Sequence, residues 1–409
     1  NSTGTSVSEW NKLNGISENM QNYLYKYVKT EKLSRGALCF SDKKEGKTIY
    51  NTVPVKPFTM FDVKGGVAPY SYSATSLPSG LAIDAETGYI SGTSTLGNKD
   101  VTVNFTVTDA MGREINADMN LTVKNPSLAA TKYGGSIAGY GETGSWATAA
   151  NTPLEEGQIL LVKSNFDIDE TAIDVPQNIV VRDVNGKMLT GDINLKDGVK
   201  YAFPYDVEAK SISYTRTFAE KYAGNLQCFY VPFDVEVTDE LLKDFTFYKL
   251  YMVSQKDENN NGEIESDEPL VMMLSKVYSG KILRANTPYY VRPKAASTLN
   301  VTAYNTTLRA AENGSITCST MEQEYTLTGI YETTNINGFY TMSAKGNFSH
   351  YTKDTNLGSF RWYMEIKNRS DVDGDMANYA RPIEIYIDGE DDTTGIVVLQ
   401  NEVPVPESG

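Results

Sequence analysis

An all-β chain of tandem β-sandwiches, opened by one short N-terminal helix, is what this sequence predicts. Three observations support it. Val101, Val103, Phe105 and Val107 alternate with polar partners, and after the turn Asp109-Ala110-Met111-Gly112 the alternation resumes at Ile115, Ala117, Met119, Leu121 and Val123. Period two with one apolar face marks a half-buried strand pair. The same pattern returns at Phe360, Trp362, Met364 and Ile366 and again at Ile383, Ile385 and Ile387. Between these runs, short apolar stretches are divided by Gly, Pro, Asn and Asp turns, the punctuation of a sandwich.

The totals bound the function. A chain of 409 residues should form about two to four domains, each able to bury a core without staples. It carries 52 acidic against 37 basic residues, a net charge of −15. With no basic patch to release counterions, nucleic acid is not expected as a partner and an anionic membrane surface is disfavoured. No apolar run reaches the roughly 20 residues that span a bilayer. The numbering opens at Asn1-Ser2-Thr3-Gly4 without Met. That suits a secreted or cell-surface chain anchored at an outer membrane by a trimmed leader.

Cys39, Cys228 and Cys318 are too few and too scattered for a disulfide framework and read as small, mostly buried hydrophobes. His350 is the only histidine. A zinc site of usual ligands is thereby disfavoured, and any Ser-His-Asp or Cys-His catalyst would have to use that residue.

The chain divides into five segments. Residues 1–52 read as an N-terminal helix and a hairpin. Ile16, Met20, Tyr23, Leu24, Tyr27 and Val28 recur at helical spacing over 17–28, with Ser17 as N-cap. Gly36–Phe40, a turn at Asp42–Gly46 and Thr48–Tyr50 form the expected hairpin. Residues 53–124 form the first sandwich. Residues 125–205 are a Gly-rich linker and a small β region. It opens on Lys124-Asn125-Pro126-Ser127 and has strands at Gln158–Val162, Asn178–Val181 and Val199–Phe203. Residues 206–395 form a C-terminal β-sandwich, in which Thr238 caps a helix over 238–245. Residues 396–409 are a tail.

The run Gly65-Gly66-Val67-Ala68-Pro69-Tyr70-Ser71-Tyr72-Ser73, then Leu77-Pro78-Ser79-Gly80-Leu81-Ala82-Ile83-Asp84 and Thr87-Gly88-Tyr89-Ile90-Ser91-Gly92-Thr93, resembles the Ig-like domain of bacterial surface proteins (He_PIG type). The resemblance implies an Ig-like β-sandwich over about 53–124 and an extracellular setting. A second series contains Ile212–Phe218, Leu226–Phe233, Leu283–Pro293, Gly338-Phe339-Tyr340 and Phe360-Arg361-Trp362-Tyr363. Over about 190–395 it resembles the C-terminal β module of BspA-like and Ig-like surface proteins of anaerobic Gram-negative bacteria. That likeness implies adhesion and brings no catalytic residue. The chain lacks the leucine-rich repeat period that usually accompanies the module.

Two motifs touch on chemistry. Gly139-Tyr140-Gly141-Glu142-Thr143-Gly144 matches GxGxxG. It lacks the apolar strand before and the helix after that a dinucleotide site requires, so it reads as a Gly-rich loop. Asp257-Glu258-Asn259-Asn260-Asn261-Gly262-Glu263-Ile264-Glu265-Ser266-Asp267-Glu268 fits the twelve-position calcium loop. Asp257, Asn259 and Asn261 take positions 1, 3 and 5, Gly262 the turn, Glu263 the carbonyl position and Glu268 the bidentate end. The flanks read as strands, which places the loop at a hairpin tip and favours a structural Ca2+ over a switching one. Asp371-Val372-Asp373-Gly374-Asp375 lacks a distal carboxylate and reads as a plain loop.

The expected function is therefore that of a non-enzymatic, monomeric surface protein that displays loops to an extracellular protein or glycan. An alternative is carbohydrate binding within a glycan-uptake system. Trp146 is then the ligand candidate, with Trp10 a weaker one and Trp362 expected on the inward face of its strand. A third reading, a glycoside hydrolase, needs two carboxylates at a set separation, and no pair stands out.

Overall fold

The computed structural model describes residues 37–135, 141–168, 173–262, 268–320, 323–368 and 383–388. The expected N-terminal helix, Trp10, Gly139, Glu263, the 371–375 loop and the tail lie outside the described residues. The chain separates into two compact units. One runs to Leu128 and takes in 143–148 and 165–174; the other comprises 129–142, 149–164 and the chain from Val175.

The first unit is a sandwich of seven main strands: β1 (Gly46–Tyr50), β2 (Pro54–Phe58), β3 (Tyr70–Thr75), β4 (Leu81–Ile83), β5 (Ile90–Thr93), β6 (Lys99–Asp109) and β7 (Glu114–Lys124). One sheet has the order β1-β7-β6-β3 and the other β2-β5-β4. Strands β6 and β7 pair antiparallel from Lys99↔Val123 to Thr108↔Glu114. As the alternation requires, Val103, Phe105, Val107, Leu121 and Val123 are fully buried. They pack on Phe58, Phe61 and Ile90.

The expected hairpin before Tyr50 does not form. Strand β1 instead lies parallel to β7, with Gly46 opposite Asn120, and Cys39–Ser41 pairs with Asp62–Lys64. Alternation marks a strand but not its partner. The sandwich therefore begins upstream of Val53. Cys39 is exposed, contrary to its reading as a buried hydrophobe, and all three cysteines are free.

The repeated glycines of this unit answer to close approach. Gly80 and Gly92 sit at φ +90° and +115°. A Cβ on Gly80 would lie 2.0 Å from the Thr93 carbonyl oxygen, and one on Gly92 would lie 2.3 Å from that of Gly80. Only glycine fits either position. Between them Asp84 Oδ1 accepts from the Glu86 and Thr87 amides at 3.0 and 2.8 Å, closing an Asx turn.

The second unit stacks sheets. Its strands are β8 (Leu128–Tyr133), β9 (Ile159–Ser164), β10 (Ile179–Arg182), β11 (Met188–Thr190), β12 (Ile193–Lys196), β13 (Val207–Phe218), β14 (Gln227–Phe229), β15 (Phe245–Gln255), β16 (Leu270–Val277), β17 (Tyr289–Pro293), β18 (Ser297–Leu308), β19 (Ser315–Ser319), β20 (Gln323–Ile330), β21 (Tyr340–Met342), β22 (Phe348–His350), β23 (Arg361–Asn368) and β24 (Ile383–Asp388). A central sheet, β14-β17-β15-β16-β24, has cores on both sides. Phe229, Phe247, Tyr289 and Val291 face the three-stranded sheet β12-β13-β18, meeting Tyr214, Leu299 and Val301. Cys228, Tyr248, Leu250, Met272 and Tyr290 face the sheet β19-β20-β23-β21-β22, meeting Leu327, Trp362 and Met364. Burial on both faces explains why Phe245–Tyr248 is a continuous buried run instead of an alternating one.

Ile159, Leu161, Val180, Tyr201 and Phe203 share the first of these cores with residues beyond 206. The small β region and the C-terminal module are thus one body, without a core boundary at 205. Thr238 caps the helix Asp239–Asp244 as its sequence requires, accepting from the Leu241 amide at 3.3 Å. Strand β24 joins the central sheet parallel to β16, from Leu270↔Ile383 to Ser275↔Asp388. It buries Ile383, Ile385 and Ile387.

Candidate functional site

The outer face of β12 and β13 floors an open groove of about 640 Å³. The register carries the same face beyond the groove onto β18. Asn194 on β12 lies opposite Ser213 on β13, which lies opposite Thr302 on β18. The next row is Lys196, Thr215 and Asn300. Paired residues on neighbouring strands point to the same side, and the apolar half of the alternation, Ile212, Tyr214, Leu299 and Val301, is buried beneath.

One wall of the groove is the 150–157 segment and another the turn Pro176-Gln177-Asn178. Asn178, at φ +58°, is buried. Its Nδ2 donates to the carbonyls of Gln158 and Asn194, both at 3.0 Å, and its Oδ1 accepts from the Asn194 amide at 2.6 Å. Asn is among the few residues that adopt this backbone region readily, and here its side chain ties the entry of β10 to β12. Asn178 is therefore part of the frame.

The floor residues bind one another sparingly. Ser213 Oγ donates to Asn194 Oδ1, and Thr215 Oγ1 donates to Asn300 Oδ1 at 3.0 Å. Lys196 Nζ meets Glu156 Oε2 at 2.5 Å, so the cation on the floor is matched by the wall. Among the described residues, Asn194 Nδ2, Asn300 Nδ2, Thr302 Oγ1 and the Gln177 amide have no partner. One step along from Thr302, Tyr304 lies opposite Ser211. Tyr304 is 73% exposed, the most open of the large apolar side chains described.

The 257–268 stretch joins two paired strands, as its flanks predict. Strands β15 and β16 pair from Phe247↔Val277 to Gln255↔Leu270 on either side of it. Asp257 Oδ1 accepts from the Asn261 amide at 3.1 Å and its Oδ2 from the Gly262 amide at 2.8 Å. Asn259 Oδ1 also takes the Asn261 amide, at 2.9 Å, and Gly262 turns at φ +87°. Glu268 is buried, and its Oε1 accepts from the Glu258 amide at 2.8 Å. The oxygens of Asp257, Asn259 and Glu268 are hard donors of the kind calcium takes. Among the described residues no three carboxylate, imidazole or thiol groups converge on one point.

The tryptophans separate cleanly. Trp362 is fully buried, and its Nε1 donates to the Tyr289 carbonyl at 2.7 Å, a core role in agreement with its inward position. Trp146, half-buried, heads the short helix Trp146–Ala150. His350 stacks on Tyr340 with centroids 4.4 Å apart. Sequence reasoning missed Asn194, Ser213, Thr302 and Tyr304. Their signal was the polar half of an alternation, Thr298, Asn300, Thr302 and Tyr304 between Leu299, Val301 and Ala303.

Residues 41–124 match the family model described as "Putative Ig domain" (He_PIG). The comparison with curated proteins found no match. Three solved structures can be set beside the chain. A "putative alpha-galactosidase" from Bacteroides fragilis is 27% identical over 22% of this chain and 18% of that one, with a TM-score of 0.20. The human desmocollin-1 ectodomain is 10% identical over 83% of this chain and 75% of that one, also at 0.20. Protocadherin gamma B7 extracellular cadherin domains 1–4 are 15% identical over 31% and 32%, at 0.17. The chain thus spans 18% of the length of that galactosidase. By its own sheets it is a tandem β-sandwich protein, with an Ig-like domain at 41–124.

Proposed function

We propose that this chain is a non-enzymatic, cell-surface binding protein, a stack of rigid β-sheets that presents polar faces to an extracellular ligand. The observation that supports the reading best is the division of labour along β13 and β18. Their inward residues build an aromatic core, while their outward residues form an open, hydrogen-bonding face with groups left over. The Ig-like sandwich of the first unit and the acidic net charge fit an extracellular setting, and the likeness of the second unit to surface-protein β modules points the same way. In intact cells the chain should be cleaved by added protease. As a purified protein it should bind an extracellular protein or glycan without turning it over. Hydrolysis of an aryl glycoside by the pure chain would replace this reading with the glycoside hydrolase one.

A structural Ca2+ at the hairpin tip belongs to the same proposal. Asp257 already collects the Asn261 and Gly262 amides, so the chain itself orders the 257–262 half of the turn; Asp257, Asn259, Asn261, Glu263 and Glu268 would hold the ion. The ion would brace the tip and take no part in binding.

A further inference from the structure

We infer that the outer face of β12-β13-β18, from the groove beside Gln177 to Tyr304, binds a neutral, hydroxyl-rich oligosaccharide. This deepens the binding-protein reading and rests on it.

Charge selects the ligand class. The chain carries −15 overall, yet this face holds few charges: Lys196, which Glu156 matches, and, beside the Tyr304 row, Asp192, whose Oδ1 accepts from Ser211 Oγ at 2.7 Å. An anionic ligand would find no unmatched cation in these rows and a cationic one a single carboxylate already engaged by a hydroxyl, so a neutral partner fits best. An apolar partner is equally ill served. Covering Asn194, Asn300 and Thr302 without replacing their lost water would leave polar groups unsatisfied, at a cost of about 1–3 kcal/mol each.

Hydroxyl groups meet both demands, since each can donate and accept. The unpartnered amide nitrogens of Asn194 and Asn300 would donate to ring hydroxyls, and the Thr302 hydroxyl could do either. Asn194 and Thr302 flank Ser213 on the two outer strands of the three, about 9.6 Å apart, and the Asn300 row lies about 7 Å further along. A rigid pleated floor thus holds them in place before ligand arrives, which lowers the ordering cost of binding. Tyr304 supplies the remaining element. An exposed ring at the end of a polar row offers a flat apolar surface to the C–H face of a sugar, while its hydroxyl stays in water. The register turns Tyr304 outward opposite Ser211, while Tyr214 on the neighbouring strand is buried.

The experiment is affinity electrophoresis and calorimetry of the whole chain against soluble starch, xylan, galactomannan and arabinogalactan. At least one should retard the protein. Tyr304→Ala should weaken that binding at least tenfold, Tyr304→Phe should retain most of it, and Asn194→Ala with Thr302→Ala should lose it, all at an unchanged melting temperature. Retardation by none of the four polysaccharides overturns the proposal, as does binding that survives Tyr304→Ala and the double variant. If the chain then binds an extracellular protein instead, the display reading stands without this site. If it cleaves a polysaccharide, both fall.

Discussion

Arg361 and Asp197, 164 residues apart in the chain, form a two-pronged ion pair inside the second unit. NH1 donates to Oδ1 at 2.6 Å and NH2 to Oδ2 at 2.9 Å. Tyr214 donates its hydroxyl to the same Oδ1 at 2.6 Å, and Arg216 Nε stands 3.7 Å from Oδ2. The pair joins β23 to the turn after β12, two different layers of the stack. Burial alone would raise the Asp197 pKa, but the Arg361 hydrogen bonds and charge, with help from Arg216 and Tyr214, outweigh it and hold the carboxyl below its usual range. Burial first and the Arg361 charge second bring Arg216 down to about 10. Asp197→Ala would leave Arg361 charged and buried. It should cost about 3–5 kcal/mol in chemical denaturation. A loss under about 1 kcal/mol would mean that water already reaches the pair.

Asp109 gives a pH prediction for the Ig-like domain. Its carboxylate takes Arg113 Nε and NH2 at 2.8 and 2.5 Å and the Val67, Met111 and Arg113 amides. The Arg113 side chain is the largest influence, and it and the amides outweigh burial to set the pKa at about 2. In an unfolded chain the value is about 3.9. The folded form therefore binds its proton later, and the stabilisation is full above about pH 4 and lost as pH falls through about 2. A carbon-detected carboxyl titration should find the Asp109 midpoint near the lower value, and Asp109→Asn should remove that part of the acid sensitivity.

Gly92→Ala tests the close approach of β4 and β5. The new methyl group would meet the Gly80 carbonyl at 2.3 Å, at φ +115°. The expected loss is at least about 2 kcal/mol. Gly112→Ala is the control. Gly112 also has a positive φ, +76°, but open space around it, and should lose only the backbone term of about 1 kcal/mol. Equal losses would show that backbone strain, and not contact, governs both.

Tyr290 and Trp362 pack together in one core, centroids 4.8 Å apart, yet should respond oppositely to substitution. The Tyr290 hydroxyl is buried without a hydrogen-bond partner among the described residues, and burial holds its pKa well above the ordinary value. Tyr290→Phe should be neutral or stabilising by about 1 kcal/mol. Trp362→Ala removes a filled volume and the bond to Tyr289, and should cost about 3–5 kcal/mol in the same denaturant series.

The hairpin tip at 257–268 predicts a calcium-dependent melt. At a hundredfold excess over the dissociation constant, one site adds about 2.7 kcal/mol. Millimolar Ca2+ should raise the melting temperature of the chain, and Asp257→Ala should abolish the rise. An identical melt with Ca2+ and with chelator would retire the site.

Much of this architecture was legible because alternation reports burial directly. The β6–β7 pair and the inward Trp362 both follow from period two. Partnership was not legible. The short strand at Ile49 reads the same whether it joins Phe40 or Val123, and only the finished sandwich decides. Nor does any local pattern pair Asp197 with Arg361, since a buried ion pair depends on layers meeting across many residues. Tyr304 was hidden differently. A polar or aromatic outward residue reads as ordinary surface until the register shows which neighbours share its row.

Strand β24 bears on how the molecule is made. It takes its place at the edge of the central sheet beside β16, a segment synthesised more than a hundred positions earlier. Until residues 383–388 have left the ribosome or crossed a membrane, Leu270, Met272 and Leu274 have no neighbour on that edge. Maturation of the whole stack thus waits on its last described strand, and a chain cut short before it would offer an open, sticky edge to chaperones and proteases.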